Sequence, residues 1–209
     1  MKGRLVVLTA LLLLAAALPA AAAGSLEIFS WWTNGGEADG LNALFELYRQ
    51  QDPAVEIINA TVAGGAGINA KAVLKTRMLG GDPPDSFQVH GGSELIDTWV
   101  VPGYMEPITE MWRKNGWFDV YPQDLIDMVT YQGEVYSVPV NVHRGNVLWY
   151  NVKVFADHGL EPPKTFDEFF AVADKLKAAG VVPLSLASRD KWEVTHLFES
   201  ILIGVGGAD

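Results

Sequence analysis

Apolar and polar residues in the first half of the chain alternate between two spacings. Leu26–Ser30 alternates residue by residue, as a half-buried strand does. The next segment places apolar residues at helical spacing, at Leu41, Leu44, Phe45 and Tyr48. The same succession continues with predicted strands at Val55–Ala60 and Ser86–His90, and with predicted helices at 38–51, at Asn69–Leu79 and from the N-cap Ser93 through Trp99. This order is typical of an α/β fold in which helices cover both faces of a largely parallel sheet.

In the second half of the chain, the alternation of strands and helices is interrupted and then resumes. Short helices are predicted around Ile108–Lys114 and Pro122–Val129, followed by a hairpin at Tyr131–Tyr136 and an extended segment at Val138–Val140. Strands are then predicted at Val147–Tyr150 and Val182–Leu186, and helices at Thr165–Ala179, which opens with a capping box, and at Trp192–Ile203. We interpret the chain as a leader at 1–23, an N-terminal α/β lobe at 24–137, a hinge crossover at 138–145 and the beginning of a second, truncated α/β lobe at 146–209.

The most informative feature is a pair of tryptophans, Trp31 and Trp32, in the turn between the first strand and the first helix. Ligands of open α/β sheets bind at the carboxyl ends of the strands, which is where this turn lies. An indole offers a flat apolar face and one N–H donor, and these match the C–H face and the hydroxyls of a sugar ring. We therefore predict a ligand platform here, with simple core packing as the alternative. Glu37 is an expected ligand partner, although an acid near a helix N-terminus is also favourable with the helix dipole.

Residues 1–23 have the pattern of a secretory signal peptide. Lys2 and Arg4 precede an apolar run, and the small residues at 21–23 fit a cleavage site. The run is shorter than the roughly 20 apolar residues that a transmembrane helix needs, and the leader has no arginine pair of the twin-arginine type. We therefore predict a periplasmic protein.

The C-terminal end of the chain, Ile201–Asp209, has no polar tail. This predicts that the chain is the N-terminal part of a longer protein; a short natural chain is the alternative.

Composition excludes several classes of function. The chain has no cysteine, so a disulfide framework, a thiol nucleophile, a cysteine metal site and a lipidated cysteine anchor are excluded. It carries 25 acidic and 15 basic residues, a net charge of −10, and removal of the leader with Lys2 and Arg4 makes the charge −12. An acidic surface without a basic cluster argues against nucleic acid and anionic membranes as partners.

Further candidates for a ligand site lie in three other places. Gln88 and His90 are predicted on one face of the third strand, at the same sheet edge as the tryptophans, with a solvated strand end as the alternative. A polar group in the predicted crossover comprises Asn141, His143 and Arg144. These residues would either form a second polar side of the ligand site or be no more than solvent-exposed residues of a linker. Trp192 follows a polar segment at another strand-to-helix turn, and core packing is the alternative for its ring.

Motifs of enzyme chemistry are weak or missing. Gly65–Ala70 matches a relaxed dinucleotide fingerprint, but it follows the second strand and not the first, and it fails the phosphate-loop pattern because Ala70 replaces a glycine. The four histidines show no metal-ligand spacing, and no Gly-x-Ser-x-Gly elbow occurs. We therefore predict a binding protein that is not an enzyme and uses no cofactor or metal. The alternative is a secreted carbohydrate-active enzyme that uses Glu37 with a second carboxylate.

Several short motifs follow one another in a specific order after the leader. They are Leu26–Trp32, the helix ending at Tyr48–Pro53, Asp82–Asp85, Tyr131–Pro139, Trp149–Asn151 and Pro162–Glu168. In this order they resemble the extracellular solute-binding proteins of carbohydrate ABC importers, the maltose-binding-like group, over essentially the whole chain after the leader. Within that group, Trp31 and Trp32 with Glu37 and Gln88-x-His90 are most similar to the glucose/mannose-binding members.

The resemblance implies a two-lobed periplasmic binding protein fold of type II, represented by the N-terminal lobe and the start of the second. It implies a monomer that captures a monosaccharide, glucose or a close epimer, and delivers it to the membrane permease subunits of an ABC importer. At the matching positions, the family supplies stacking indoles (Trp31, Trp32) and hydrogen-bonding partners (Glu37, Gln88, His90) for a hexose. Further ligand residues would lie beyond position 209.

Overall fold

The computed structural model describes residues 24–207. The predicted leader at 1–23 therefore lies outside the described residues. The residues up to Tyr136 form one compact unit, and those from Ser137 onward form a second. Within the described part of the chain, no helix combines the length and apolar character that a membrane crossing requires.

The first unit is built on a three-stranded parallel sheet in the order β2-β1-β3. The strands are β1 (Ser25–Phe29), β2 (Glu56–Asn59) and β3 (Ser86–Phe87). The helices that connect them are α1 (Gly35–Gln51) and α2 (Ile68–Leu79), the latter preceded by a 3₁₀ turn at Gly65–Gly67. The predicted strand–helix alternation and parallel pairing are thus confirmed, with β1 in the centre of the sheet.

Packing on the two faces of β1 shows that helices cover both sides of the sheet. Phe29 packs with Ala70, Leu74 and Met78 of α2 and with Trp99. Ile28 packs against a separate cluster made of Trp32 with Leu41 and Phe45 of α1. Because consecutive strand residues point to opposite faces, α1 and α2 lie on opposite faces of the sheet, as the sequence predicts.

The third strand is shorter than predicted, since β3 ends at Phe87. The backbone N–H of Gln88 still donates to the Phe29 carbonyl at 2.8 Å, but β1 itself ends at Phe29 and leaves no further partner for pairing.

The predicted N-cap at Ser93 is also wrong. The cap residue is Gly92, and the Ser93 hydroxyl donates to the carboxylate of Asp97 instead.

The rest of the first unit consists of short helices and a hairpin. Its elements are α3 (Ser93–Leu95) with a following π-helical turn (Ile96–Val100), α4 (Thr109–Asn115), a 3₁₀ turn (Trp117–Asp119), α5 (Gln123–Met128), β4 (Thr130–Tyr131) and β5 (Glu134–Val135). The antiparallel pairing of β4 and β5 confirms the predicted hairpin. Its two turn residues, Gln132 and Gly133, both have positive φ, as a tight two-residue hairpin requires. These elements enclose a core centred on the fully buried Trp112.

The second unit contains three helices among its described residues, α6 (Val152–Asp157), α7 (Phe166–Ala178) and α8 (Trp192–Gly206). The predicted cap of α7 is confirmed, because the Thr165 hydroxyl accepts from the Glu168 N–H at 3.2 Å. The predicted strands at Val147–Tyr150 and Val182–Leu186 are wrong. Both segments lack a regular backbone partner in the described structure, and an apolar run becomes a strand only where another strand satisfies its N–H and C=O groups.

Candidate functional site

The turn after β1 is held by a small hydrogen-bond network. The hydroxyl of the buried Ser30 donates to Gln88 Oε1 at 2.7 Å, and the N–H of Trp31 donates to the same oxygen at 3.3 Å. The N–H of Trp32 in turn donates to the Ser30 hydroxyl at 3.0 Å. The structure therefore places both tryptophans at the carboxyl edge of the sheet and ties them to the end of β3 through Ser30 and Gln88.

Trp32 belongs largely to the core. Its side chain is only 9% exposed and packs with Leu41 and Phe45 on the inner face of α1. The indole Nε1 is buried and has no hydrogen-bond partner among the described residues. A buried donor left unpaired costs about 1–3 kcal/mol, so this N–H favours any arrangement that brings an oxygen acceptor to it.

Trp31 is half-buried and lies between a glycine loop and a charged cluster. The centroid of its indole is 5.1 Å from that of the His90 imidazole, with the rings tilted by 44°. Lys71 Nζ lies 5.9 Å from the indole centroid, within the range of a cation–π contact. A Cβ at Gly67 would lie 2.6 Å from the six-membered ring of the indole. The backbone at Gly67 therefore lies so close to the indole of Trp31 that only glycine fits there without a shift.

We expect Gly67→Ala to lower the free energy of unfolding by about 1–3 kcal/mol more than Gly81→Ala, because the added methyl group must displace the indole of Trp31. Gly81 is a matched control: its φ of +73° is close to the +77° of Gly67, but a Cβ there meets no atom within 4 Å. Both variants share the backbone strain of an alanine at positive φ. Urea unfolding of the two variants measures the difference, and equal losses would show that the indole moves at no cost.

His90 belongs to a cluster with two charged side chains. Its Nδ1 lies 2.9 Å from Glu94 Oε2 and 3.3 Å from Lys71 Nζ, and Lys71 Nζ lies 2.7 Å from the same Glu94 oxygen. Burial by itself raises the pKa of Glu94, but the hydrogen bonds from His90 and Lys71 and the positive charge of Lys71 outweigh it and hold this pKa below its usual value. The cluster therefore contains an ionised carboxylate beside the imidazole.

Gln88 and Glu37 contribute polar groups near the same turn. Gln88 Oε1 is used by Ser30 and Trp31, which leaves the Gln88 amide nitrogen as the group available to donate. Glu37 lies in the first turn of α1 and is exposed. At this position the Glu37 carboxylate interacts favourably with the dipole of α1, which is the second interpretation that the sequence offered.

The other predicted site residues belong to the second unit. Asn141 Nδ2 lies 2.6 Å from His143 Nε2, and Arg144 is exposed on the same segment. Trp192 is the first residue of α8, is 37% exposed and has its ring 5.8 Å from that of His196 in an edge-on arrangement. The core packing considered as an alternative for Trp192 is thus at most partial in this unit.

The sequence patterns did not identify four residues that surround Trp31, Trp32 and His90 in the first unit, namely Ser30, Gly67, Lys71 and Glu94. Glu94 follows His90 by four residues, and Lys71 is in the first turn of α2 after a glycine-rich loop, so only weak spacing signals indicate them. Among the residues that the structure describes, no group of three or more acidic, histidine or cysteine side chains could hold a metal ion.

Comparison with known proteins assigns the chain to a family. The family model described as bacterial extracellular solute-binding protein matches residues 33–209. A protein of Pyrococcus horikoshii, named an uncharacterized ABC transporter extracellular-binding protein, is 43% identical over 190 residues, which are 88% of this chain and 42% of that protein. A Mesorhizobium japonicum protein with the name "Probable sugar-binding periplasmic protein" is 37% identical, over 88% of this chain and 43% of that protein. The chain thus spans less than half the length of these relatives.

More distant relatives carry names of particular sugars. A glucose-binding protein of Saccharolobus solfataricus is 27% identical over 86% of this chain and 33% of that protein. A xylose/arabinose-binding protein of Haloferax volcanii is 24% identical over 88% of this chain and 40% of that protein.

The fold also matches that of solved structures. A structure from work on xylan utilization by Caldanaerobius polysaccharolyticus superposes with a TM-score of 0.70 at 20% identity, covering 88% of this chain and 45% of that one. The bacterial solute receptor AcbH superposes with a TM-score of 0.63 at 23% identity, covering 81% of this chain and 42% of that one. The prediction of the two-lobed periplasmic binding protein fold is confirmed by these neighbours. The chain belongs to the bacterial extracellular solute-binding protein family.

Proposed function

We propose that the whole protein, a chain of the length of its relatives, captures a sugar in the periplasm and delivers it to the permease subunits of an ABC importer. The observation that carries the proposal is the partly exposed Trp31 at the carboxyl edge of the sheet, with the His90 ring 5.1 Å from its indole. Membership of the solute-binding family and the sugar-binding names of relatives support it. The protein acts as a monomer and returns its ligand unchanged.

The chemistry of the site suits a ring with one apolar face and a rim of hydroxyls. The exposed part of the Trp31 indole would pack against the C–H face of the ring. Gln88, His90 and Glu37 offer hydrogen-bonding groups from the same edge of the sheet, and the buried Nε1 of Trp32 lacks an acceptor. Each hydroxyl left unpaired in such a site costs about 1–3 kcal/mol, which would let these groups discriminate between epimers.

We propose that the ligand is a monosaccharide, glucose or a close epimer. The support is the order Trp31, Trp32, Glu37, Gln88 and His90 and the name of the Saccharolobus solfataricus relative. Pentoses are the competing ligands, as the Haloferax volcanii relative is named for xylose and arabinose. Asn141, His143 and Arg144 of the proposed hinge segment 138–145, and Trp192 of the second lobe, would add further ligand contacts.

Isothermal titration of the whole protein against D-glucose, D-mannose, D-galactose, D-xylose, maltose and L-glutamine tests this proposal. We expect a saturable heat signal with D-glucose or one of its epimers, and a weaker signal or none with the amino acid. A signal with the amino acid alone would contradict sugar binding, and a preference for D-xylose would contradict the hexose assignment. Incubation with labelled glucose separates a binding protein from a carbohydrate-active enzyme, because only an enzyme would produce turnover that Glu37→Gln abolishes.

A further inference from the structure

We propose that Glu94 is a positioning residue, which holds the proton of the neutral His90 ring on Nδ1 and so makes Nε2 a hydrogen-bond acceptor for a ligand hydroxyl. The inference deepens the proposed sugar site and rests on it only for the nature of the ligand. The position of the proton depends on contacts within the protein and can be tested without any sugar.

The distances around His90 Nδ1 distinguish its two possible partners. The nitrogen is 2.9 Å from Glu94 Oε2 and 3.3 Å from Lys71 Nζ. A carboxylate can only accept and an ammonium can only donate. A proton on Nδ1 therefore gives a hydrogen bond to Glu94 at the shorter distance, whereas a lone pair on Nδ1 would place two acceptors 2.9 Å apart.

The charge on Glu94 strengthens this preference. Its carboxylate is ionised because the hydrogen bonds and the nearby ammonium lower its pKa in spite of partial burial. A hydrogen bond to a charged acceptor is roughly twice as strong as a neutral one. Lys71 contributes by pairing with the same carboxylate oxygen at 2.7 Å, which disfavours a protonated Glu94 that would reverse the direction of the bond.

The other ring nitrogen, Nε2, is then a hydrogen-bond acceptor that points in a fixed direction. The Nδ1 contact with Glu94 and the ring contact with Trp31 hold the imidazole at two points. The His90 side chain is 51% exposed, and its Nε2 has no hydrogen-bond partner among the described residues. A neutral ring protonated on Nδ1 presents a lone pair at Nε2, so it selects a ligand hydroxyl that donates and penalises a group that can only accept.

Nitrogen-15 NMR of the histidine rings tests the position of the proton directly. The whole protein is labelled at its histidines, the His90 signals are assigned by their loss in His90→Ala, and spectra are recorded at alkaline pH, where imidazoles are neutral. We expect a protonated Nδ1 and an unprotonated Nε2 in the unmodified protein. Glu94→Gln should shift His90 toward a mixture of both forms, because a carboxamide can accept from Nδ1 or donate to it.

Glu110→Gln is the matched control, because Glu110 is an exposed acid paired with Arg113 on α4. We expect it to leave the His90 signals unchanged. A proton on Nε2 in the unmodified protein would overturn the inference, and so would an unchanged His90 pattern in a folded Glu94→Gln variant. The first of these readouts does not depend on Glu94→Gln and holds even if that variant fails to fold.

Titration with D-glucose and its monodeoxyfluoro analogues tests the use of the acceptor. Fluorine can accept a weak hydrogen bond but cannot donate one, so the analogue substituted at the hydroxyl facing His90 should bind more weakly. We expect Glu94→Gln to weaken D-glucose binding by roughly 3- to 10-fold, the loss of about one hydrogen bond, and to reduce discrimination against that analogue. Equal affinity for all analogues would overturn the acceptor role. The expected NMR pattern without any glucose binding would contradict the proposed ligand and leave the Nδ1 assignment standing.

Discussion

Trp32→Ala is expected to lower the free energy of unfolding by about 3–5 kcal/mol, whereas Trp31→Ala is expected to act mainly on ligand affinity. Trp32 is 9% exposed and packs with Leu41 and Phe45, so its removal leaves a cavity beneath α1. Trp31 is half-buried. We expect Trp31→Ala to weaken D-glucose binding by about 1–3 kcal/mol, or roughly one to two orders of magnitude, at a stability cost below about 2 kcal/mol.

Urea unfolding and isothermal titration of the whole protein measure the two effects separately. Leu79→Ala is a control for stability, because Leu79 is a large apolar residue at the end of α2 that is 68% exposed, and its truncation should cost no more than about 0.5 kcal/mol. If Trp31→Ala unfolds early and yet binds glucose normally when folded, the ligand site lies elsewhere. If Trp32→Ala leaves stability unchanged, the core assignment of Trp32 is wrong.

The 209-residue chain alone is expected to bind D-glucose at least about 100-fold more weakly than a chain extended with the C-terminal part of the Pyrococcus horikoshii relative. The present chain spans 42% of that relative, and two-lobed binding proteins close on their ligand from both sides. Loss of a few hydrogen bonds and part of the stacking surface amounts to about 3 kcal/mol, which corresponds to about 100-fold in affinity.

The same comparison should show a difference in solubility. The second unit exposes many large apolar side chains, among them Trp149 at 88%, Phe170, Phe198, Leu202 and Val205. Exposed apolar surface of this kind promotes association, so the 209-residue chain should bind apolar dyes and self-associate, and the extension should reduce both. Val205→Lys is the control, which should reduce self-association without restoring glucose binding. Submicromolar glucose binding by residues 25–209 alone would contradict the two-lobe mechanism.

The local elements of the first unit are determined by short-range patterns that the sequence displays. Leu26–Ser30 alternates as β1 does, the apolar spacing after it matches α1, and the Gln132–Gly133 pair occupies the hairpin turn. In the second unit, Thr165 likewise caps α7 as predicted. In each case the deciding interactions join residues a few positions apart, so the pattern of neighbours suffices to identify the element.

Two apolar segments show where short-range patterns fail. Val147–Tyr150 and Val182–Leu186 have the composition of strands but do not form them in the described structure. A strand is stabilised by a partner elsewhere in the chain, and composition alone does not supply one. The same limit applies to β3, which ends at Phe87, level with Phe29, the last residue of its partner β1.

The candidate site shows the same division between sequence and tertiary structure. The sequence by itself determined that Trp31 and Trp32 follow the first strand and that Gln88 and His90 lie at the end of the third, at one edge of a parallel sheet, because strand direction follows from the strand–helix alternation. Only the tertiary structure decided that Trp32 packs in the core while Trp31 stays partly exposed, and that Lys71 and Glu94 meet at His90. Lys71 lies 19 residues from His90 along the chain, and the two meet only because α2, which carries Lys71, packs on the sheet, a long-range outcome that no local pattern encodes.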